Sequence, residues 1–173
     1  MRALIPIALT SLVAMPALGA ELRINVEIPR LNVAEYHRPY VAIWIERPDQ
    51  SLAANLAVWY DIKLKNKEGE KWLKDMRQWW RRSGRELQMP VDGLSGATRA
   101  PGEHQLSFSA DKSPLAKLPA GDYVLMVEAA REVGGRELVK IPFKWPAASG
   151  PADSAQSAKG EHELGTVTLQ LKP

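Results

Sequence analysis

The chain has 173 residues, and its 23 Lys and Arg against 20 Asp and Glu leave a formal net charge of only +3. That excess is too slight and too interspersed for a nucleic-acid-binding surface. Cysteine is absent, which excludes a disulfide framework, a thiolate metal site and a cysteine nucleophile.

Residues 1–20 have the layout of a cleavable secretory signal: Arg2, an apolar run from Ala3 to Val13, then Pro16 and the small-residue stretch Ala17 to Ala20. The apolar run is about eleven residues, short of the roughly twenty that a membrane-spanning helix needs. Cleavage is expected after Ala20, with Gly19 as second choice. The remaining residues 21–173, roughly 150 of them, suit one soluble periplasmic domain with its own core.

Strands come next in chain order. Leu22, Ile24, Val26 and Ile28 alternate with polar residues, the period of a strand with one buried face. Arg38 to Glu46 is rich in β-branched and aromatic residues and ends before Pro48. Ala57 to Leu64 places Val58, Tyr60, Ile62 and Leu64 on one side. Shorter strands are predicted over Gln105 to Ser109, Asp122 to Arg131, Glu137 to Trp145 and Leu164 to Leu171. About seven such strands at this spacing predict an all-β fold, an immunoglobulin-like β-sandwich.

One segment departs from the strand period. Trp72, Leu73, Met76, Trp79 and Trp80 recur at three- and four-residue intervals, with Lys71, Lys74, Arg77, Arg81 and Arg82 between them, which predicts one inserted amphipathic helix. Asn66 is its expected N-cap, Glu68 and Glu70 suit its first turn, and Arg81, Arg82 and Gly84 suit its end. Its apolar face, with Trp72 and Trp79 in the core, would lie across an open side of the sandwich, leaving Trp80 the more exposed. Pro146 to Gly160 is too poor in apolar residues to offset its ordering entropy and reads as a flexible loop.

The most specific string is Asp92-Gly93-Leu94-Ser95-Gly96-Ala97-Thr98, of the pattern D-x-x-[ST]-G-A-T. It resembles the flavinylation motif of periplasmic FMN-carrying domains, in which a flavin transferase attaches FMN through a phosphoester to the closing threonine. The resemblance makes Thr98 the attachment residue and Asp92, Ser95, Gly96 and Ala97 the recognition residues. The chemistry is consistent with that assignment: a hydroxyl is the acceptor, small neighbours leave room for approach, and Arg99 could add a charge-assisted contact to phosphate. A plain turn at Asp92-Gly93 with Thr98 merely exposed accounts for the same residue types.

Over most of the mature chain, His37-Arg38-Pro39-Tyr40-Val41-Ala42-Ile43-Trp44, the Trp-rich segment, Ser95 to Gly102, and Glu128 to Glu132 with Gly134-Gly135 resemble the DUF2271 family of bacterial periplasmic proteins. Members tend to be encoded beside flavin transferases and PepSY-type membrane proteins. The resemblance implies a redox-associated protein, an electron carrier with covalent FMN, partnered by a periplasmic flavin transferase and a PepSY-type membrane protein. The alternative it leaves is a flavin-free binding or accessory domain of a metal-uptake or redox membrane complex. Only the motif itself matches the FMN domains, so their pocket residues do not carry over.

The remaining candidates have ordinary readings. His37, His104 and His162 show no metal-ligand spacing and lie in different elements. His37 and His104 would matter only if folding brought them together. Glu128, Arg131 and Glu132, at a strand end before a Gly-Gly turn, read as a solvated ion-pair set. Neither a Ser-His-Asp set, nor paired carboxylates, nor a phosphate-binding loop can be argued, and enzyme status stays open.

Overall fold

The computed structural model describes residues 20–146 and 155–172. The signal segment, apart from Ala20, and most of the expected loop lie outside them. Nine strands are present among the described residues: β1 (Glu21–Ile28), β2 (Tyr40–Glu46), β3 (Leu52–Tyr60), β4 (Ser95–Ala97), β5 (Gly102–Ser109), β6 (Gly121–Ala130), β7 (Arg136–Trp145), β8 (Gln156–Lys159) and β9 (Thr166–Lys172). They form a four-stranded sheet in the order β5-β1-β9-β8 and a five-stranded sheet in the order β4-β3-β2-β6-β7. The fold is thus the expected all-β sandwich with an inserted helical segment.

The main core lies between the sheets. Leu22, Ile24, Val26 and Ile28 from β1 and Val167, Leu169 and Leu171 from β9 face Val41, Ile43 and Ile45 from β2 and Leu125, Val127 and Ala129 from β6. β1 alternates buried and half-exposed along its length, as a strand with one solvated face should. β2 is buried at every position, because its other side is covered as well. There Tyr40, Ala42 and Trp44 join Val58, Tyr60, Leu73, Met76, Trp79, Met89, Met126 and Ala130 in a second apolar cluster. A register shift in β3 pairs Ile43 with Ala57 and Trp44 with Asn55, leaving Leu56 as an extra residue. Through this bulge Leu56 and Ala57 both enter the main core while Asn55 turns outward.

The covering segment differs from a single amphipathic helix. Lys65–Asp75 is 3₁₀ in character, broken at its start by left-handed Asn66 and Lys67, and α1 spans only Arg77–Arg82. Asn66 makes no capping hydrogen bond, and Met76, with ψ at 73°, interrupts the helical path. Leu73 near the end of the 3₁₀ stretch, Met76 at the break and Trp79 in α1 all face the sheet and are fully buried. Trp72 falls out of phase and is 49 % exposed, contrary to its expected place in the core. Trp80 is partly exposed, as expected.

Charged groups lock this segment down. Glu128, 0 % exposed, accepts the backbone N–H of Gln78 at 3.0 Å and of Trp79 at 2.8 Å and pairs with Arg136. Asn55 accepts the Trp79 indole N–H at 3.0 Å, and Glu46 accepts from the Trp44 indole at 2.9 Å while pairing with Arg82. Arg131 and Glu163 form a second buried pair at 2.7 Å. Glu128 and Arg131 are therefore structural buried ions, not members of a solvated hairpin set, because backbone amides and partner charges replace water around them.

Two further differences concern where strands begin and end. Gln156–Lys159, expected inside a loop, pairs antiparallel with β9. β3 ends at Tyr60, so Ile62 and Leu64 lie beyond it, and Leu64 is exposed.

Candidate functional site

The Thr98 motif lies at one end of the five-stranded sheet, and strand register explains what meets it there. Gly93, with φ at +74°, sits in a turn closed by the Leu94 and Ser95 N–H groups on the Val91 carbonyl. Ser95 Oγ accepts the Val91 N–H at 2.9 Å, so this hydroxyl is used within the turn. β4 then runs parallel to β3, with Val58 opposite Ser95, Trp59 opposite Gly96 and Tyr60 opposite Ala97. One step further along both strands brings Asp61 level with Thr98. Thr98 Oγ1 donates to Asp61 Oδ1 at 3.3 Å.

The same end of the sheet collects three other chain segments. β2 begins there at Tyr40, opposite Ala130 at the end of β6. The covering segment contributes Trp72 and Asp75. Together they enclose a cavity of about 560 Å³ lined by Tyr36, His37, Arg38, Tyr40, Asp61, Leu64, Trp72, Asp75, Thr98 and residues 130–133. Its size is that of a small-molecule site. A second cavity, about 330 Å³, shares Arg38, Asp61, Leu64 and Thr98 and adds Tyr60, Ile62, Lys63 and Ala97. Thr98 thus stands between two cavities, one aromatic and one bearing Lys63.

The larger cavity has an apolar rim. The exposed large apolar side chains among the described residues are Val33, Leu64, Trp72 and Val133, and the last three line it. Single exposed apolar residues are ordinary, but here three surround one opening that also holds two tyrosines. Burial pushes the Tyr40 phenol up to about 12, so this group stays neutral and can both donate and accept. Burial likewise raises Tyr36, partly countered by Arg131 and Arg38. Neither Arg38 nor Lys63 forms an ion pair among the described residues, which leaves both cations available beside Thr98.

The expected site residues are distributed unevenly. Thr98 lines both cavities and Ala97 the smaller one. Gly96 sits against the Trp59 indole, where an added Cβ would stand 3.3 Å from its Cδ1, so its small size serves packing as well as access. Asp92 is exposed and makes no hydrogen bond or ion pair among the described residues. Arg99 lies over the Trp59 ring, 5.2 Å from its centroid, and lines neither cavity, so the cations that share a cavity lining with Thr98 are Arg38 and Lys63 instead. His37 lines the larger cavity and contacts Glu35 at 2.9 Å, whereas His104 packs edge-on against Trp59, so folding does not bring them together. Among the described residues no group of acidic and histidine side chains is arranged to hold a metal ion.

Asp61, Arg38, Lys63, Tyr36 and Leu64 do not stand out as site residues in the sequence. Their membership depends on the pairing of β3 with β4 and of β2 with β6, which residue types alone do not display.

The family model described as "Predicted periplasmic protein (DUF2271)" matches residues 21–166. No curated protein and no solved structure matches the chain. Among the described residues, no helix is long and apolar enough to cross a membrane.

Proposed function

This chain belongs to the DUF2271 family of predicted periplasmic proteins, and on that premise we propose that it is a periplasmic electron carrier with FMN attached covalently through Thr98. The observation that carries the reading is the position of the Thr98 hydroxyl, at the wall of an aromatic-lined cavity of about 560 Å³, at the end of a D-x-x-S-G-A-T string. The residues present fit the group. Tyr36, Tyr40 and Trp72 offer faces and edges to a flat heteroaromatic ring. Arg38 and Lys63 lie beside the hydroxyl that would carry the phosphate, where charge-assisted contacts are strongest. Attached FMN supplies one- and two-electron transfer.

The chain's own contribution is retention and placement. A phosphoester to Thr98 prevents loss of a diffusible cofactor outside the cytoplasm. Leu64, Trp72 and Val133 would offer apolar contact to the ring at the cavity's exposed rim. A periplasmic flavin transferase is the modifying partner that this reading requires, and a PepSY-type membrane protein is its proposed redox partner.

The test is co-expression of the full chain with a periplasmic flavin transferase, followed by intact-mass measurement under denaturing conditions. The expected product carries the mass of one FMN less water, and Thr98→Val abolishes it by removing the acceptor oxygen. Ser95→Ala leaves the modification in place, since its hydroxyl is occupied in the Val91 turn. If wild type stays unmodified while the same transferase modifies a control substrate, the reading fails. The same cavity then belongs to a flavin-free binding or accessory domain.

A further inference from the structure

We propose that Asp61 is the proton acceptor for the Thr98 hydroxyl when Thr98 takes its phosphoryl group, an inference that rests on Thr98 being the attachment residue. Three observations converge on Asp61, which lies outside the motif. Its Oδ1 is the atom that accepts the Thr98 Oγ1–H, at 3.3 Å. It lines both cavities that meet at Thr98. Its backbone is also held from three directions: its carbonyl accepts the Leu64 N–H at 3.3 Å, the Tyr40 phenol takes a backbone hydrogen bond from it, and Gly69 packs against its carbonyl.

That packing is tight enough to require glycine, since a Cβ at position 69 would meet the Asp61 carbonyl oxygen at 2.2 Å. The carboxylate itself is exposed, so it is the backbone that these contacts hold in place. Here the β3–β4 register sets Asp61 level with Thr98, and the covering segment prevents it from moving away. The 3.3 Å separation is long for a strong hydrogen bond, but bonds of this kind tighten when the reacting partner arrives.

The step balances with a flavin adenine dinucleotide donor held by the transferase. Thr98 Oγ1 attacks the phosphorus bearing riboflavin and a new O–P bond forms. The pyrophosphate O–P bond to the adenylate breaks, AMP leaves with that electron pair, and the Thr98 proton passes to Asp61 Oδ1. Arg38 and Lys63, which border the smaller cavity with Thr98, would meet the phosphoryl oxygens there. An alcohol is a poor nucleophile at neutral pH, and a positioned base typically contributes about 10²–10⁴ in rate.

The experiment is a time course of FMN incorporation by intact mass, using purified apoprotein, purified transferase and FAD. Wild type, Asp61→Asn, Asp61→Glu and Thr98→Val are compared, each with its urea unfolding midpoint. The expected outcome is an approximately 100-fold lower kcat for Asp61→Asn with KM for the apoprotein within about twofold, and partial recovery in Asp61→Glu. The unfolding midpoint stays at the wild-type value, because the Asp61 side chain is exposed. An Asp61→Asn protein modified at the wild-type rate overturns the assignment, and so does a loss confined to KM. Unmodified wild type beside a modified control substrate is a different result, which brings down the Thr98 reading and this inference with it.

Discussion

The two outer faces of the sandwich are made of comparable strands and end up in opposite environments. On the four-stranded sheet β1 and β9 alternate, with Arg23, Asn25, Thr168 and Gln170 half-exposed on the outside. On the five-stranded sheet the outer residues of β2, β3 and β6 lie under the Lys65–Arg82 segment, and a buried carboxylate, an indole and an amide fasten that segment down. The cover does more than add a second core. Its first part lies beside the end of β3 and the start of β2, placing Trp72, Asp75 and Gly69 around Thr98 and Asp61. The open face has no such third layer among the described residues. A site grows where a sheet edge and its cover fail to close completely.

The largest expected effect tests whether the cover is core or decoration. Trp79→Ala removes a fully buried indole and its hydrogen bond to Asn55 and should cost about 3–5 kcal/mol, read as a lower urea midpoint. Trp72→Ala, seven residues earlier, should cost less than about 1 kcal/mol because its ring is 49 % exposed. Thr168→Ala on the open face should stay within about 0.5 kcal/mol. Equal losses for the two tryptophans would mean that Trp72 packs as deeply as Trp79, removing it from the cavity wall.

A smaller effect separates packing from electrostatics on the same face. Glu128→Gln keeps shape but loses the charge that meets two backbone amides and Arg136. The expected cost is about 1–3 kcal/mol, since Arg136 is a third exposed and can find water while the amides lose their better acceptor. No change in midpoint would show that apolar contact alone holds α1 to the sheet.

The contrast between the faces is only half visible in the sequence. The alternation in β1 and the unbroken apolar run in β2 announce one solvated and one covered face, and the Trp-rich segment announces the cover. Its helical period misleads because the segment is broken at Met76 between a 3₁₀ stretch and a short α1, so that Leu73, Met76 and Trp79 are buried while Trp72, which one unbroken α-helix would also bury, is exposed. β4 and β8 are invisible to periodicity. Ser95–Ala97 is too short to show a pattern, and Gln156–Lys159 has only Ala158 to bury, so both exist through ladders with distant partners. The motif locates Thr98, but Asp61 is 37 residues away and becomes its neighbour through register alone. Glu128 looks like a surface charge because the amides that bury it are supplied by a segment 49 and 50 residues earlier.

The smallest effect concerns the seam between the two sheets. Glu137, near the start of edge strand β7, accepts the backbone N–H groups of Glu161, His162, Glu163 and Leu164, the connection between β8 and β9. It therefore ties the edge of the covered sheet to the open one. Burial pushes its carboxyl up, but the four amides together hold it below the ordinary value of 4.5. A carboxyl depressed in the folded state contributes stability that is present above the unfolded value and is lost as pH falls through the folded one. The loss should therefore appear below about pH 4.5. Glu21, Asp49 and Asp111 are also depressed, by side-chain hydrogen bonds from Arg23, Ser51 and Ser109 respectively, but they are common to wild type and variant. The difference in urea midpoint between wild type and Glu137→Gln, followed from about pH 7 to about pH 3, isolates the seam. It should shrink with acid as the wild type loses what the variant never had. Parallel midpoints across that range would mean that the amides bind the neutral side chain as well as the charged one, and that the tie between the two sheets does not depend on charge.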